Sequence, residues 1–334
     1  MNSNPMISVI MSVYNREDYV SDCIKSVLNQ SFSNFEFIIV DDASIDSTVD
    51  IINSFNDPRI ILIKNDKNIG LTKNLNHALL IAKGKYIARM DDDDICFKNR
   101  FELQYRYLEK HKNVFLACSE AVSFGTKEEL CFKSPKNNNF YRDALILRNC
   151  ICHSSVMFRN NGFSYDERFL KSQDFEAWFR ATVIENKIIA IINRPLIYLR
   201  IHSTQTNVST QSEYGTMILE RNYSFLFGSD FDKNVFDTHL KLIYYNPTKI
   251  NETNDLVCFY EYHKNSTFCR FPLLKPVLLF EIEKYCSCNS IKNPLRKRFI
   301  FSVADFRCFK YYFLTAICKK TNTKRYTKNI YWFK

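Results

Sequence analysis

The sequence predicts an α/β fold with a mostly parallel central sheet, followed by a mainly helical C-terminal extension. Short apolar runs that suit strands buried on both faces alternate with segments of helical periodicity, which is the pattern of βαβ units. The 334 residues, 46% of them hydrophobic and 15% aromatic, are enough to bury a full core. We expect the sheet domain to span residues 1–205 and the helical extension to span residues 206–334.

The elements of the sheet domain can be placed in order along the chain. Strands are predicted over residues 6–13, 35–40, 59–63 and 86–90, where β-branched and aromatic side chains predominate. Helices are predicted over residues 17–30, 46–55 and 70–82, and Gly84 is expected to close the last of these as a C-cap. Because a helix separates each strand from the next, the four strands are expected to be parallel.

Carboxylates collect where two of these strands end. Asp41 and Asp42 follow the second strand, and the fourth strand runs into the four acids of residues 91–94. The carboxyl ends of parallel strands share one sheet edge, where ligands bind. Hard cations such as Mg²⁺ and Mn²⁺ take oxygen ligands and share them with substrate phosphates. The pattern therefore predicts a divalent-metal site rather than a solvated loop, and Cys96 at the position reserved for glycine excludes an EF-hand.

Glycine, charge and cysteine usage exclude other classes of protein. The six glycines never fall at G-x-G spacing, so a dinucleotide-binding loop and a P-loop are excluded. Residues 291–334 carry twelve Lys or Arg against Asp305 alone, which leaves the rest of the +10 chain near neutrality and predicts no nucleic-acid partner. The N-terminus has no signal-peptide pattern, so we expect reduced cysteines and a cytoplasmic protein without a membrane span.

Several ordered segments resemble the motifs of family 2 glycosyltransferases, enzymes with a GT-A fold. The resemblance covers roughly residues 6–202. The segments are Ser12-Val-Tyr-Asn15, Val40-Asp-Asp-Ala-Ser-Ile-Asp-Ser-Thr48, Asn68-Ile-Gly-Leu-Thr-Lys-Asn74, Gly84-Lys-Tyr-Ile-Ala-Arg-Met-Asp-Asp-Asp-Asp94 and Lys171-Ser-Gln-Asp-Phe-Glu-Ala-Trp-Phe-Arg180.

The resemblance implies a nucleoside pocket at the first two strand ends. Tyr14 and Asn15 would form its wall, Asp42 would contact the nucleoside, and Lys73 would approach the nucleotide. Ala43 stands where these enzymes usually have glycine, and we expect the turn to shift only slightly.

The resemblance also implies a DxD motif in the acidic segment. Asp91 would face the ribose, Asp92 would lie with it at the donor sugar nucleotide, and Asp93 would bind Mn²⁺ or Mg²⁺ on the diphosphate. His202 ends a segment similar to the family's Y-R-x-H, which implies a role as a second metal ligand, with Arg200 beside the donor.

Asp174 is similar to the family's catalytic base. Gln173 replaces the Glu that commonly precedes that base, which places any role of the missing Glu in acceptor binding in doubt. Trp178 is expected in the core, and for His153 an acceptor-site role and a structural role both remain open.

The resemblance predicts an inverting, metal-dependent hexosyltransferase acting in bacterial surface polysaccharide synthesis. Its donor would be a UDP-linked hexose or N-acetylhexosamine, and its acceptor a glycan or lipid-linked glycan. A single base with no second nucleophile in the motifs favours inversion. A sugar nucleotidyltransferase and a non-catalytic nucleotide-sugar-binding domain are the alternatives.

The basic tail allows two interpretations. Phe299, Phe306, Phe313 and Ile317 approximate one helical face, and basic residues lie around it. Such a helix could contact an anionic membrane peripherally, at the inner face of the cytoplasmic membrane. An ordinary amphipathic helix packed on the body fits the same pattern.

Overall fold

The structure is a computed structural model, and it describes residues 4–125, 129–131, 138–202, 208–243, 253–266 and 278. The chain forms two compact units. The described residues of the first lie within Met1–Asn138 and Ile151–Val208, and those of the second within Asn139–Cys150 and Ser209–Lys328. The expected domain boundary between residues 205 and 206 stays a prediction.

The first half of the first unit is a parallel α/β sheet, as predicted. Its strands are β1 (Ile7–Val13), β2 (Phe35–Asp41), β3 (Ile60–Lys64) and β4 (Tyr86–Arg89), and its helices are α1 (Val20–Leu28), α2 (Thr48–Asn53) and α3 (Leu71–Ile81). β1 pairs in parallel with both β2 and β4, and β2 with β3. Strands β1, β2 and β4 are buried almost throughout, because helices cover both faces.

The second half extends this sheet with mixed pairing. Its elements are β5 (Ile95–Cys96), α4 (Arg100–Lys110), β6 (Val114–Phe124), β7 (Glu129–Cys131), a 3₁₀ turn (His153–Ser155), β8 (Met157–Arg159), α6 (Gln173–Phe179), a π-helical turn (Arg180–Ile184) and β9 (Ile188–Arg200). The strand order is β3-β2-β1-β4-β8-β6-β9-β5, with β7 paired to β6. The antiparallel β5–β9 pair brings the end of β9 next to the acids that follow β4.

The second unit is helical wherever it is described. It contains α5 (Asn138–Ala144, whose first residue belongs to the first unit), α7 (Val208–Phe227), α8 (Lys233–Ile243) and α9 (Thr253–Ser266). A buried hydrogen-bonded chain links His263, Tyr223 and His239, which fixes the helices against one another. None of the described helices combines the length and apolarity that crossing a membrane demands. The predicted membrane-binding tail at residues 291–334 lies outside the described residues.

The prediction for Gly84 was wrong. Helix α3 ends at Ile81, its C-cap Ala82 is extended, and Gly84 is not among the residues with positive φ. A Cβ at Gly84 would instead lie 2.4 Å from the backbone nitrogen of Ser8 and 2.6 Å from the carbonyl carbon of Ile7. Glycine is needed here because β1 passes so close, which helical periodicity alone does not reveal.

Candidate active site

Two loops at the carboxyl edge of the sheet are tied together by hydrogen bonds. The backbone of Asn15 donates to the Ser44 hydroxyl at 3.0 Å, and Asn15 Oδ1 accepts from the backbone of Ile45 at 2.9 Å. The loop after β1 and the loop after β2 therefore form one rim. Asn15 and Ala43 both hold positive φ values, 50° and 63°, which are unfavourable for residues with a side chain. The Ala43 substitution is thus a point of backbone strain.

Asp42 is buried and fully engaged in this rim. Its Oδ1 accepts from Asn65 Nδ2 at 3.0 Å and from the backbone of Ile69 at 2.8 Å, while Oδ2 accepts from the backbone of Gly70 at 2.9 Å. Gly70 has a φ of 92° immediately before α3, so Asp42 fixes the turn into that helix. The Asp42 carboxylate therefore holds in place the walls of the expected nucleoside pocket.

Asp41, beside Asp42 at the end of β2, carries an unusual carboxylate. It is 2% exposed, and its Oδ2 accepts from the backbone of Ser44 at 3.2 Å. Its Oδ1 is buried without a hydrogen-bond partner among the described residues. Nearby, Tyr14 presents its ring at 41% exposure, and Lys73 lies exposed in the first turn of α3.

Asp91 and Asp94 share one hydroxyl, that of Ser154. Asp91 also forms an ion pair with the buried Arg89, and Asp94 Oδ1 accepts from the backbone of Arg200 at 2.9 Å. A hydroxyl donates only one proton, so it accepts from one carboxyl while donating to the other. Burial and the neighbouring acids raise the pKa of Asp94 well above its ordinary value. Of the two carboxyl groups, Asp94 therefore binds a proton more readily than Asp91.

Asp92 and Asp93 pair with different side chains. Arg16 Nε lies 3.3 Å from Asp92 Oδ1, and His202 Nε2 lies 2.9 Å from Asp93 Oδ2. The His202 ring also lies against Tyr19, with ring centroids 4.8 Å apart. The structure thus brings His202 to the acidic loop as predicted, although 109 residues separate it from Asp93.

Arg200 clamps the acidic loop. Its guanidinium lies over the rings of Tyr19 and Phe124, at 4.8 and 4.5 Å from their centroids, and its Nε donates to the carbonyl of Asp93 at 2.8 Å. Planar guanidinium groups stack on aromatic faces in this way. These contacts position the loop, and a contact of Arg200 with the donor stays a prediction.

The electrostatics of the loop follow from its enclosure and its crowded charges. Burial and the charge of Asp93 raise the pKa of Asp92 to about 7, although Arg16 opposes the shift. Burial and Asp91 also raise the pKa of Asp93. Burial would raise the pKa of Asp91 too, but the Arg89 guanidinium outweighs it and holds that pKa below its usual range. Additional positive charge would therefore stabilise the ionised carboxylates of the loop.

Asp174 lies half-buried in the first turn of α6, close to a cluster of aromatic and titratable groups. Burial raises the pKa of the Tyr165 hydroxyl, and the charges of Asp174 and Asp91 raise it further. The same hydroxyl lies 2.9 Å from His153 Nε2, so His153 has a structural partner. Burial and Arg89 lower the pKa of His153, which keeps the ring neutral. Trp178 is fully buried, which confirms its place in the core.

Asp93 and His202 supply the kinds of donor that Mn²⁺ accepts, a carboxylate oxygen and an imidazole nitrogen. Within the part of the chain that the structure describes, no three His, Cys, Asp or Glu side chains converge as a closed metal site requires. An ion that arrives with a diphosphate needs only one or two protein ligands, since phosphate oxygens and water complete its coordination. The two side chains fit an ion of that kind.

Sequence reasoning missed three residues that pair with the acidic loop: Arg16, Arg89 and Ser154. Arg89 did leave a signal, because a charged residue inside the apolar run Tyr-Ile-Ala-Arg-Met must find a partner if the strand is buried. Ser154 is 60 residues from Asp94 and left no such signal.

The chain is similar in sequence to known glycosyltransferases. The family model described as Glycosyl transferase family 2 matches residues 8–169. The chain is 33% identical to an uncharacterized glycosyltransferase of Methanocaldococcus jannaschii, over 61% of this chain and 74% of that protein. It is 31% identical to the UDP-Glc:alpha-D-GlcNAc-diphosphoundecaprenol beta-1,3-glucosyltransferase WfaP of Escherichia coli, over 62% and 82% respectively. This chain belongs to glycosyltransferase family 2.

Solved structures share the fold at low sequence identity. Residues 1–349 of Staphylococcus aureus TarS in complex with UDP-GlcNAc superpose with a TM-score of 0.55 at 18% identity, covering 87% of this chain and 91% of that one. The mannosyltransferase PcManGT from Pyrobaculum calidifontis, in complex with GDP-Man and Mn²⁺, gives a TM-score of 0.50 at 13% identity, covering 97% and 89%. The predicted fold class, a GT-A-like mixed α/β sheet, is confirmed.

Proposed function

We propose that this chain is an inverting, metal-dependent glycosyltransferase of bacterial surface polysaccharide synthesis. It moves a hexose or an N-acetylhexosamine from a UDP-sugar to a glycan or lipid-linked acceptor. The observation that carries the proposal is the pairing of Asp93 with His202 at 2.9 Å, at the sheet edge where the loop bearing Tyr14 also lies. β1 lies between β2 and β4, so the loop after β1 stands between Asp42 and Asp91.

In this proposal each part of the donor meets its own group of residues. The exposed ring of Tyr14 lies against the base, Asn15 and Asp42 hold the pocket wall, and Asp91 faces the ribose. Asp92, Lys73 and Arg200 lie at the phosphate side. Asp93 and His202 would hold Mn²⁺ or Mg²⁺, which when bound supplies Lewis-acid stabilisation of the leaving diphosphate.

Asp174 takes the acceptor proton. As the acceptor oxygen attacks the anomeric carbon, its O–H bond breaks and the proton passes to the Asp174 carboxylate, while the bond to the diphosphate oxygen breaks on the opposite face. A single displacement of this kind inverts the anomeric carbon. The Asp174 carboxylate lies in the first turn of α6, close enough to Tyr165 to raise the pKa of its hydroxyl.

The relatives support the donor and the acceptor. The E. coli relative is named for transfer from UDP-glucose to a GlcNAc-diphosphoundecaprenol, and the TarS structure contains UDP-GlcNAc. We therefore propose a diphospholipid-linked acceptor for this chain as well. Because such an acceptor resides in a membrane, we place the enzyme at the inner face of the cytoplasmic membrane.

Calorimetric titration of UDP tests the donor site. We expect the wild type to bind UDP in Mn²⁺ and to lose most of that affinity in chelator, and Asp93→Asn to bind weakly in both. Asp50→Asn, on the exposed face of α2, is the control and should match the wild type. If folded protein binds GDP or TDP in place of UDP, the UDP assignment is wrong. If Asp93→Asn binds UDP normally in Mn²⁺, its metal assignment is wrong.

A further inference from the structure

Arg16 is the most exposed of the four basic side chains that contact the acidic loop. Its side chain is 28% exposed. The other three are more enclosed, at 1% for Arg89, 10% for His202 and 16% for Arg200. A ligand entering from solvent therefore reaches the Arg16–Asp92 pair most readily.

The backbone of Arg16 is fixed at the site. Its N–H donates to the Thr48 hydroxyl at 2.7 Å, and its carbonyl accepts from the backbones of Tyr19 and Val20 at 3.0 and 2.9 Å, where α1 begins. Asn15, the residue before it, is part of the proposed pocket wall. Only the side chain of Arg16 is left to rearrange, and its guanidinium contacts both the carbonyl of Asn15 and the carboxylate of Asp92.

The guanidinium of Arg16 is loosely held. It contacts Asp92 Oδ1 at 3.3 Å and the carbonyl of Asn15 at 3.2 Å, whereas charge-assisted hydrogen bonds usually measure about 2.7–2.9 Å. A guanidinium has five N–H donors in a planar fork that matches phosphate oxygens. The two contacts leave most of that fork for an anion.

We propose that Arg16 exchanges partners when the donor binds, leaving Asp92 for the diphosphate of the nucleotide. This inference rests on the proposed function. With a divalent ion held by Asp93 and His202, Asp92 would no longer depend on Arg16 for neutralisation, and Arg16 would be repelled by the ion and attracted by the diphosphate. Arg16 therefore competes with the metal in the ligand-free enzyme and cooperates with it once the nucleotide is present. The exchange couples metal binding to nucleotide binding.

Calorimetric titrations of Mn²⁺ alone, of UDP in saturating Mn²⁺ and of uridine test the exchange. Arg16→Met keeps the apolar stem and removes the charge, and Arg16→Lys keeps the charge without the fork. We expect Arg16→Met to bind Mn²⁺ alone several-fold more tightly, because a competing cation is gone. Its UDP affinity in Mn²⁺ should fall by about 10- to 100-fold, the range for a lost charge-assisted hydrogen bond. Its affinity for uridine, which has no phosphate, should not change.

The control variant Arg106→Met and the titration of uridine distinguish a specific role of Arg16 from a general loss of charge or of folding. Arg106→Met removes an exposed guanidinium paired with Glu102 on α4 and should leave all three affinities unchanged. Arg16→Lys should recover part of the UDP affinity. If Arg16→Met binds UDP like the wild type, or weakens UDP and uridine equally, the exchange is refuted while the proposed function stands. If the wild type itself does not bind UDP, both are refuted.

Discussion

Arg89 and Asp91 form an ion pair at the end of β4, with the Arg89 side chain only 1% exposed. The same carboxylate also interacts with the Ser154 hydroxyl, and Arg89 Nη1 lies 3.4 Å from that hydroxyl. A buried guanidinium is costly unless a carboxylate faces it. The pair therefore keeps Asp91 ionised and fixed, so that the protein itself neutralises the first acid of the loop while Asp93 faces His202.

Arg89→Met should destabilise the protein by on the order of 3 kcal/mol, because it leaves the Asp91 charge without its buried partner. Urea denaturation followed by circular dichroism measures the change. The double variant Arg89→Met, Asp91→Asn should recover part of the loss, since it removes both charges. Arg106→Met, which breaks an exposed pair, should cost less than about 1 kcal/mol. Equal stability of Arg89→Met and Arg106→Met would contradict the buried pair.

Ala43→Gly should stabilise the protein by about 0.5–1 kcal/mol. Ala43 has a φ of 63°, which costs a residue with a Cβ about 1–2 kcal/mol. Glycine removes this strain, but the greater conformational freedom of glycine in the unfolded chain offsets part of the gain in stability. Denaturation midpoints measure the difference. Ala82→Gly is the matched control, because Ala82 has an ordinary φ of −62° and should lose stability instead. A loss of stability in Ala43→Gly would show that the positive φ of Ala43 does not destabilise the protein.

The sheet and its acidic edge could be predicted because their signals are local. Apolar runs located β1, β2 and β4, and the residues that follow each strand had to meet at one edge. Helical spacing located α1 and α3 to within a few residues. Gly84 was misread because its role depends on how closely β1 passes, which is a tertiary fact.

Two partners of the acids, Arg16 and Ser154, were not predicted, because they come from distant parts of the chain. Arg16 reaches Asp92 across 76 residues, and Ser154 reaches Asp91 across 63. The spacing of residues along the chain does not predict contacts between such distant residues. The acids of the loop could be identified from the sequence. The groups that shift their pKa values could be identified only from the folded structure.

Asp92 should increasingly destabilise the ligand-free protein as the pH rises from about 4 to about 7, whereas the buried, neutral His239 and His263 act in the opposite direction. The pKa of Asp92 is about 7 in the folded state, whereas an unfolded Asp has a pKa of about 3.9. Between these values Asp92 binds more protons in the folded state than in the unfolded state, so its contribution to the unfolding free energy falls with increasing pH. Burial of Asp93 and Asp94 acts in the same direction. Urea denaturation in chelator at several pH values measures the slope.

Asp92→Asn isolates the contribution of that group. Relative to the wild type, this variant should gain stability at pH 8, where Asp92 is charged in both states. It should change little at pH 4, where Asp92 is protonated in the folded state and about half protonated in the unfolded state. Asp50→Asn, an exposed acid on α2, serves as the control and should leave the pH dependence as it is. A wild-type stability that rises steadily between pH 4 and pH 8, with Asp92→Asn following the same curve, would contradict the assignment.

Asp174→Asn should abolish transfer while leaving donor binding intact. The amide keeps the size and the place of the side chain in the first turn of α6, but it cannot accept the acceptor proton. We expect the turnover rate to fall by about 10²- to 10⁴-fold, the usual contribution of a general base, with the affinity for UDP in Mn²⁺ unchanged. Release of UDP from a UDP-sugar in the presence of a GlcNAc-diphospholipid acceptor measures the rate, and calorimetry measures the affinity. Asp50→Asn should retain both. Full activity in Asp174→Asn would show that another group is the catalytic base. A wild type that binds UDP but transfers no sugar from any UDP-sugar would favour a non-catalytic nucleotide-sugar-binding domain.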